Sequence, residues 1–166
     1  DEVKIYNFAL SPSEVLIDAN AGSAAALGGV LGTHNDEGFS LTPPTAWWKM
    51  DEGSWTNDCS TDSILDFSGN GNNADACPTS TGPTGGATGK IGKAGEFDGS
   101  NDYVSSTDFF YSDVFSVCAW VYGETLDANL RSVVVKRNTS GITAGANEWS
   151  LVVDTGKARI LSWVNT

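Results

Sequence analysis

The sequence predicts an all-β protein, an antiparallel two-sheet sandwich of the jelly-roll kind, with one short helix near its start. Three observations predict it. From position 46 onward, blocks of about five to nine residues recur at strand length. Clusters of Gly, Asn, Asp and Ser separate them. No amphipathic helix of more than two turns can be drawn among them, the pattern of a sandwich rather than of alternating strands and helices. The 166 residues, 40% apolar and 10% aromatic, suffice for one domain with a core.

The chain opens DEVKIYNFALSPSEV. Residues 1–8 alternate, with Val3, Ile5 and Asn7 on one face and Glu2, Lys4 and Tyr6 on the other, which suits a half-buried strand. Ser11-Pro12-Ser13-Glu14 then reads as a helix start. Ser11 can cap, Pro12 fits the first helical position, and Glu14 stands where a capping box needs an acid. The helix is expected over residues 12–19, ended by residues 20–22. Residues 21–45 carry no sustained period and are dense in Gly, Ala, Thr and Pro, so they read as a linker. Pro43-Pro44 closes it with a stiff stop. The expected organisation is a strand and short helix over 1–20, the linker over 21–45, and a β module over 46–166.

Within the module the strand-like blocks are AWWKM, GEFDG, DYVSS, FSVCAWVYG, LRSVVVKR, NEWSLVVD and KARILSWVN. Asp154-Thr155-Gly156-Lys157 reads as the hairpin turn joining the last two. Trp120 and Trp149 lie in apolar alternation and are expected in the core. The sheet is incomplete where the chain ends.

Charge narrows the function. Nine basic against 21 acidic residues give a formal net charge of -12. That balance opposes nucleic acid and anionic lipid, whose affinity is built from Lys and Arg contacts. The longest apolar stretch, residues 24–32, is far short of the roughly 20 residues that span a bilayer, so membrane insertion is not expected. The one histidine, His34, falls in the linker, which removes Ser–His and Cys–His catalysis. No phosphate loop or zinc spacing is present.

Of the three cysteines, Cys59 and Cys77 sit in polar, turn-rich sequence, where a free thiol gains little from burial. Cys118 lies in a strand-like run and reads as a small core residue. Pairing Cys59 with Cys77 across 18 positions would stabilise by about 3 kcal/mol on the loop-entropy view. The competing reading is two unpaired loop thiols. A bridge would place the protein in an oxidising, extracellular setting, secreted or at a cell surface.

The blocks also match a family in order. WKMDEG, LDFSGNGNNA, GKIGKAGEFDGSNDYV, FSVCAWVY, VVVKR, WSLVVD and KARILSWV together resemble the concanavalin A-like, laminin G-like (pentraxin-like) jelly-roll modules of large secreted microbial proteins. The resemblance covers residues 46–166, and it is the conjunction that is specific. In that family the closing strand reads much like DEVKIYN, followed by an AL-S-x-x-E helix, and those residues stand here at positions 1–16. The family's later strands are missing after KARILSWV. The resemblance therefore implies a window on a tandem-repeat array: the tail of one module, a linker, and the first two-thirds of the next. It implies that residues 1–8 lie antiparallel beside residues 47–51, within this chain or in a neighbouring copy.

Three clusters are candidates for chemistry. Asp66, Asn70, Asn72 and Asn73 in DFSGNGNNA offer hard oxygen ligands of the kind calcium takes. The resemblance implies a structural calcium near this loop, with Asp66 and Asn72 as ligands and Glu52 or Asp1 completing the shell. The alternative is a set of Asx turns. In EFDGSNDYV, Glu96 and Asp98 could be read as a glycosidase pair, but no second acid is convincingly spaced. The simpler reading is a turn, with Phe97 and Tyr103 packing. The third cluster is aromatic. Trp47 and Trp48 must face opposite sides of one strand, so Trp47, with Trp55, becomes a candidate sugar-stacking or inter-module contact beside Asn101 and Asp102. Asn138-Thr139-Ser140 matches the glycosylation triplet.

The function that follows is a non-catalytic adhesion or carbohydrate-binding module, with a glycan or another surface protein as partner and calcium as a structural cofactor. The alternative is a purely structural repeat that builds a fibre, stalk or filament by strand exchange with copies of itself.

Overall fold

A computed structural model describes residues 1–24, 43–107, 109, 112–124, 131–136 and 148–163. The chain divides into two compact units, Asp1–Cys118 and Ala119–Thr166. Between named strands every described pairing is antiparallel, and the sheets are open. Most of the expected linker, His34 and the Asn138 triplet lie outside the described residues.

In the first unit β1 (Val3–Tyr6) is followed by α1 (Pro12–Ala24), β2 (Ala46–Trp48), β3 (Asp62–Ile64), β4 (Ala74–Cys77), β5 (Thr84–Thr88), β6 (Lys93–Glu96), β7 (Tyr103–Ser106) and β8 (Ser116–Cys118). The strand at the head of the chain is the centre of a sheet. β1 lies between β2 and β8, with Val3 opposite Trp48 and Lys4 opposite both Trp47 and Cys118. This is the antiparallel pairing expected for residues 1–8 beside residues 47–51, made within the chain.

The period-2 alternation of β1 is real, but both of its faces are covered. Val3, Lys4, Ile5 and Tyr6 are all buried. Val3 and Ile5 share a face with their register partners Ala46, Trp48 and Val117. Lys4 and Tyr6, on the other face, meet Asp18 of α1. The helix thus converts an expected half-buried strand into a fully buried one.

The capping box at the start of α1 forms as expected. The Glu14 amide donates to Ser11 Oγ at 3.3 Å, and the Ser11 amide donates to Glu14 Oε2 at 2.7 Å. Those bonds from Ser11 hold the Glu14 carboxyl below its ordinary pKa. The helix runs five residues past its expected end at Ala19, through Asn20 and Gly22 to Ala24. A single glycine costs a helix only about 1 kcal/mol, and alanines at 19, 21 and 24 support it.

β3, β4 and β7 form a second three-stranded sheet, and β5 pairs with β6 as a hairpin. Ile64, Ala74, Ala76 and Cys77 are buried here. The expected GEFDG strand is displaced toward its N-terminal side, over Lys93–Glu96, leaving Phe97 outside it. FSVCAWVYG contributes only Ser116–Cys118 as strand. Trp120, expected in the core, is exposed to 36%.

The second unit, taken by itself, is a meander of β9 (Arg131–Lys136), β10 (Glu148–Asp154) and β11 (Lys157–Trp163), with β10 in the middle. Thr155 and Gly156, at φ 48° and 76°, make the expected two-residue turn. Among its described residues, Trp149 and Val152 are the buried apolar ones.

Candidate functional site

The loop from Asp66 to Asn73 is organised by one carboxylate. Asp66 Oδ1 accepts the amides of Trp47 (2.9 Å) and Ser68 (2.8 Å). Its Oδ2 accepts the Asn72 amide (2.9 Å) and the Ser68 hydroxyl (2.8 Å). Burial alone would raise this carboxyl, but the four bonds outweigh it and hold the pKa below the ordinary value. Asn70 and Asn72 both donate their side-chain amides to the Thr45 carbonyl, at 3.0 and 2.8 Å. Gly69 and Gly71, at φ 89° and 77°, give the turn its left-handed residues.

The same geometry tests calcium. Both Asp66 oxygens are taken by two donors each, and the asparagines present N–H groups rather than oxygens to Thr45. Glu52 is engaged elsewhere, by the Leu65 amide (3.0 Å) and Trp55 Nε1 (3.4 Å). Asp1 is bound to the far hairpin, where its Oδ2 accepts the amides of Lys90 (2.6 Å) and Ile91 (2.9 Å). Among the described residues no group of three or more His, Cys, Asp or Glu is placed to hold a metal ion. As folded, Asp66 forms an Asx turn, Asn70 and Asn72 bond the Thr45 carbonyl, Glu52 holds the Leu65 amide and the Trp55 indole, and Asp1 clamps the β5–β6 turn.

The aromatic candidates separate. Trp48 is buried and donates its indole N–H to the Asn72 carbonyl at 2.8 Å. Trp47 faces the other way, as strand alternation requires. Its Nε1 donates to Glu2 Oε2 at 2.7 Å, and the ammonium groups of Lys4 and Lys49 lie 5.0 and 4.5 Å from its ring centroid. Trp55 is seated on a cross-strand glycine pair. Gly85 and Gly95 stand opposite each other in the β5–β6 hairpin, and any Cβ there would run into the indole. Phe97 meets Trp55 edge-on, with centroids 6.3 Å apart.

Asn101 and Asp102 belong to the turn that follows Phe97. Asp102 Oδ2 accepts the Asp98 amide at 2.9 Å, and Asp98 Oδ1 accepts the amides of Ser100 (2.8 Å) and Asn101 (3.4 Å). Asp98 is thus a turn former, as the simpler reading of that stretch has it. Phe97 and Tyr103, on either side of the turn, are exposed to 43% and 50%. Trp55, Phe97 and the 98–102 turn therefore come together along the chain's path, whereas Trp47 belongs with Glu2 and Lys4.

The expected disulfide joins Cys59 and Cys77, with Cα atoms 5.1 Å apart. Cys118 is not a simple core residue. Its thiol is half-buried against Asp18, and burial first, then that carboxylate, pushes its pKa up to about 11. This belongs to a polar cluster that the sequence reading missed: Lys4 and Tyr6 from β1 and Glu2 just before it, with Asp18 from α1. The only signal for it was a row of polar residues facing one way on the first strand, with an acid in the following helix. Among the described residues no helix is long and apolar enough to cross a membrane. Comparison of the chain with protein families, with curated proteins and with solved structures returns no match.

Proposed function

We propose that this chain is a non-catalytic, extracellular adhesion module of the laminin G-like jelly-roll kind, and that it binds carbohydrate at the aromatic pair made by Trp55 and Phe97. The observation that supports the reading is the Trp55–Phe97 pair, fixed on the Gly85–Gly95 seat and followed at once by the 98–102 turn with its exposed Asn101. Aromatic faces stack on the C–H faces of a sugar ring, and an amide beside them supplies the donor and acceptor that select hydroxyl geometry. Trp47 is not part of this proposal, because Glu2, Lys4 and Lys49 already engage its indole. The Cys59–Cys77 bridge is compatible with a secreted location.

Glycan-array screening of the full chain tests the proposal. Binding that is lost in Phe97→Ala and weakened in Asn101→Ala, with unchanged thermal unfolding, supports it. Binding that survives both substitutions places the ligand elsewhere, and no binding to any glycan rejects the reading.

A second reading, assembly by strand exchange, draws on the central position of β1 and the 18 residues (25–42) that separate α1 from the described start of β2's segment. The β1 strand satisfied within its own chain weighs against it, since an intramolecular partner on so short a tether is present at millimolar effective concentration. Size-exclusion chromatography of the full chain at micromolar concentration separates the two readings.

A further inference from the structure

The cluster between β1 and α1 holds three reactive groups in a fixed order. Lys4 Nζ donates to Asp18 Oδ1 at 2.6 Å, and Glu2 Oε2 stands 3.7 Å from the same nitrogen. The three side chains are exposed to only 10%, 14% and 7%. Neighbours fix each of them. Trp47 Nε1 holds Glu2 Oε2 at 2.7 Å, and the Trp47 ring lies under the Lys4 ammonium at 5.0 Å. The Tyr6 hydroxyl donates to the same Asp18 oxygen at 3.2 Å, and the Cys118 thiol adjoins that carboxylate. Glu2 takes this position at the expense of backbone conformation, with φ at 54° in a non-glycine residue.

We propose that Lys4 and Asp18 condense into an intramolecular amide bond, with Glu2 carrying the proton. The ammonium and carboxylate together contain what the reaction needs. One Lys4 proton passes to Asp18, leaving a free amine and a neutral carboxyl. The amine attacks the Asp18 carboxyl carbon, and Glu2 takes the second proton from nitrogen and delivers it to the departing oxygen. One C–N bond forms, one C–O bond breaks, and the sum is ammonium plus carboxylate giving amide plus one water, with Glu2 regenerated. The Tyr6 hydroxyl, already on Asp18 Oδ1, stabilises the charge that develops there.

Two physical effects favour the bond over the ion pair. Fixed neighbours react as though at an effective concentration of about 10⁵ to 10⁸ M. Burial penalises the two charges of the ion pair but not a neutral amide, and the water released leaves the site. The product would tie the central strand to the helix that covers it.

Intact mass spectrometry of the folded chain tests the proposal without any variant. The expected mass is below the sequence mass by one water, in addition to the two hydrogens of the Cys59–Cys77 bridge. Cleavage after glutamate then locates the loss, because residues 3–14 and 15–37 should remain joined as one branched peptide. Trypsin should also fail to cut after Lys4. Glu2→Gln, which keeps an acceptor for Trp47 Nε1 but no proton carrier, should show the full sequence mass apart from the bridge; unchanged water loss there would remove Glu2 from the reaction. A wild-type mass lowered only by the disulfide overturns the proposal. So does a water lost at Asp98-Gly99 as a succinimide, which would leave the two peptides separate.

Discussion

The indole of Trp55 occupies the space where a Cβ on Gly95 would sit, and its pyrrole edge does the same at Gly85, 2.7 Å from the ideal Cβ position. The two glycines face each other in the β5–β6 hairpin, so the pair acts as a slot for one ring. Gly95→Ala is expected to expel the ring and destabilise the first unit by about 1–3 kcal/mol, the usual cost of overpacking. Urea unfolding followed by tryptophan fluorescence measures both effects at once. Unchanged emission and an unchanged midpoint would mean that the seat does not position Trp55.

Asp1 ties the central strand's leading end to a turn almost ninety residues away. Its carboxylate accepts the amides of Lys90 and Ile91, while Asp51 Oδ1 accepts the Lys93 amide at 2.7 Å, so two acids close the same turn. Hydrogen bonds to a charged acceptor contribute about 1.5–3 kcal/mol each when well formed, less where solvent reaches them. Asp1→Ala should therefore accelerate hydrogen exchange at the Lys90 and Ile91 amides well before it affects β4 or β7. Exchange that rises uniformly across the unit would show that the residue acts on global stability alone.

The Asp66 loop makes a prediction about pH and about metal. The carboxyl's pKa is lowered in the folded state from an ordinary 3.8. Its contribution is therefore complete above 3.8 and is lost as pH falls through the lower folded value. Asp66→Asn replaces one acceptor oxygen with a donor facing the Asn72 amide and the Ser68 hydroxyl. It should cost about 2 kcal/mol at neutral pH, by the scale of a charged hydrogen bond lost in a partly buried site. That difference should shrink in acid. Because both Asp66 oxygens are already bonded, adding calcium or a chelator should leave the wild-type melting temperature where it is. A saturable rise with calcium would show that the loop reorganises around the ion.

What the sequence revealed depended on whether a local rule was sufficient. The Ser11–Glu14 box and the Thr155-Gly156 turn were legible because capping and turn chemistry each act over a few residues, whereas the partner of β1 followed only from the resemblance in block order. β4 and β5 were not. ADAC and TGGAT contain no large β-branched residue to mark them, and they are strands because β7 and β6 supply the ladders. The site residues divide in the same way. Asp66 and Asp98 were visible as polar turn residues, but whether their oxygens face a cation or the backbone is a matter of orientation. Trp55 was visible as an aromatic candidate, while its glycine seat arises from residues thirty and forty positions away. The Glu2–Lys4–Asp18 cluster needed α1 to fold back over β1, which no spacing in the sequence encodes.

Asp75 carries the last prediction. It stands directly opposite Asp62 across β3 and β4, an arrangement of like charges that destabilises a sheet. Its Oδ1 is buried and, among the described residues, accepts no hydrogen bond, whereas Asp62 Oδ2 is held by Asn73 Nδ2 at 3.1 Å. Asp58 is close enough to add to the repulsion and is itself strongly acidic: bonds from the Thr61 hydroxyl and from the Thr61 and Ser60 amides bring its pKa down to about 2. Burial first, then the charges of Asp62 and Asp58, raises the Asp75 carboxyl above 3.8. A raised carboxyl is a cost that exists while the group is ionised and is relieved as pH falls through the folded value. Asp75→Asn removes the charge and supplies a donor toward Asp62, so it should stabilise the protein at neutral pH by about 0.5–1 kcal/mol, the range of a cross-strand pair. Denaturant midpoints at neutral pH and below 3.8 should show the gain in the first condition and its disappearance in the second. A destabilised variant at neutral pH would mean that the ionised carboxylate is held by the fold rather than merely tolerated by it.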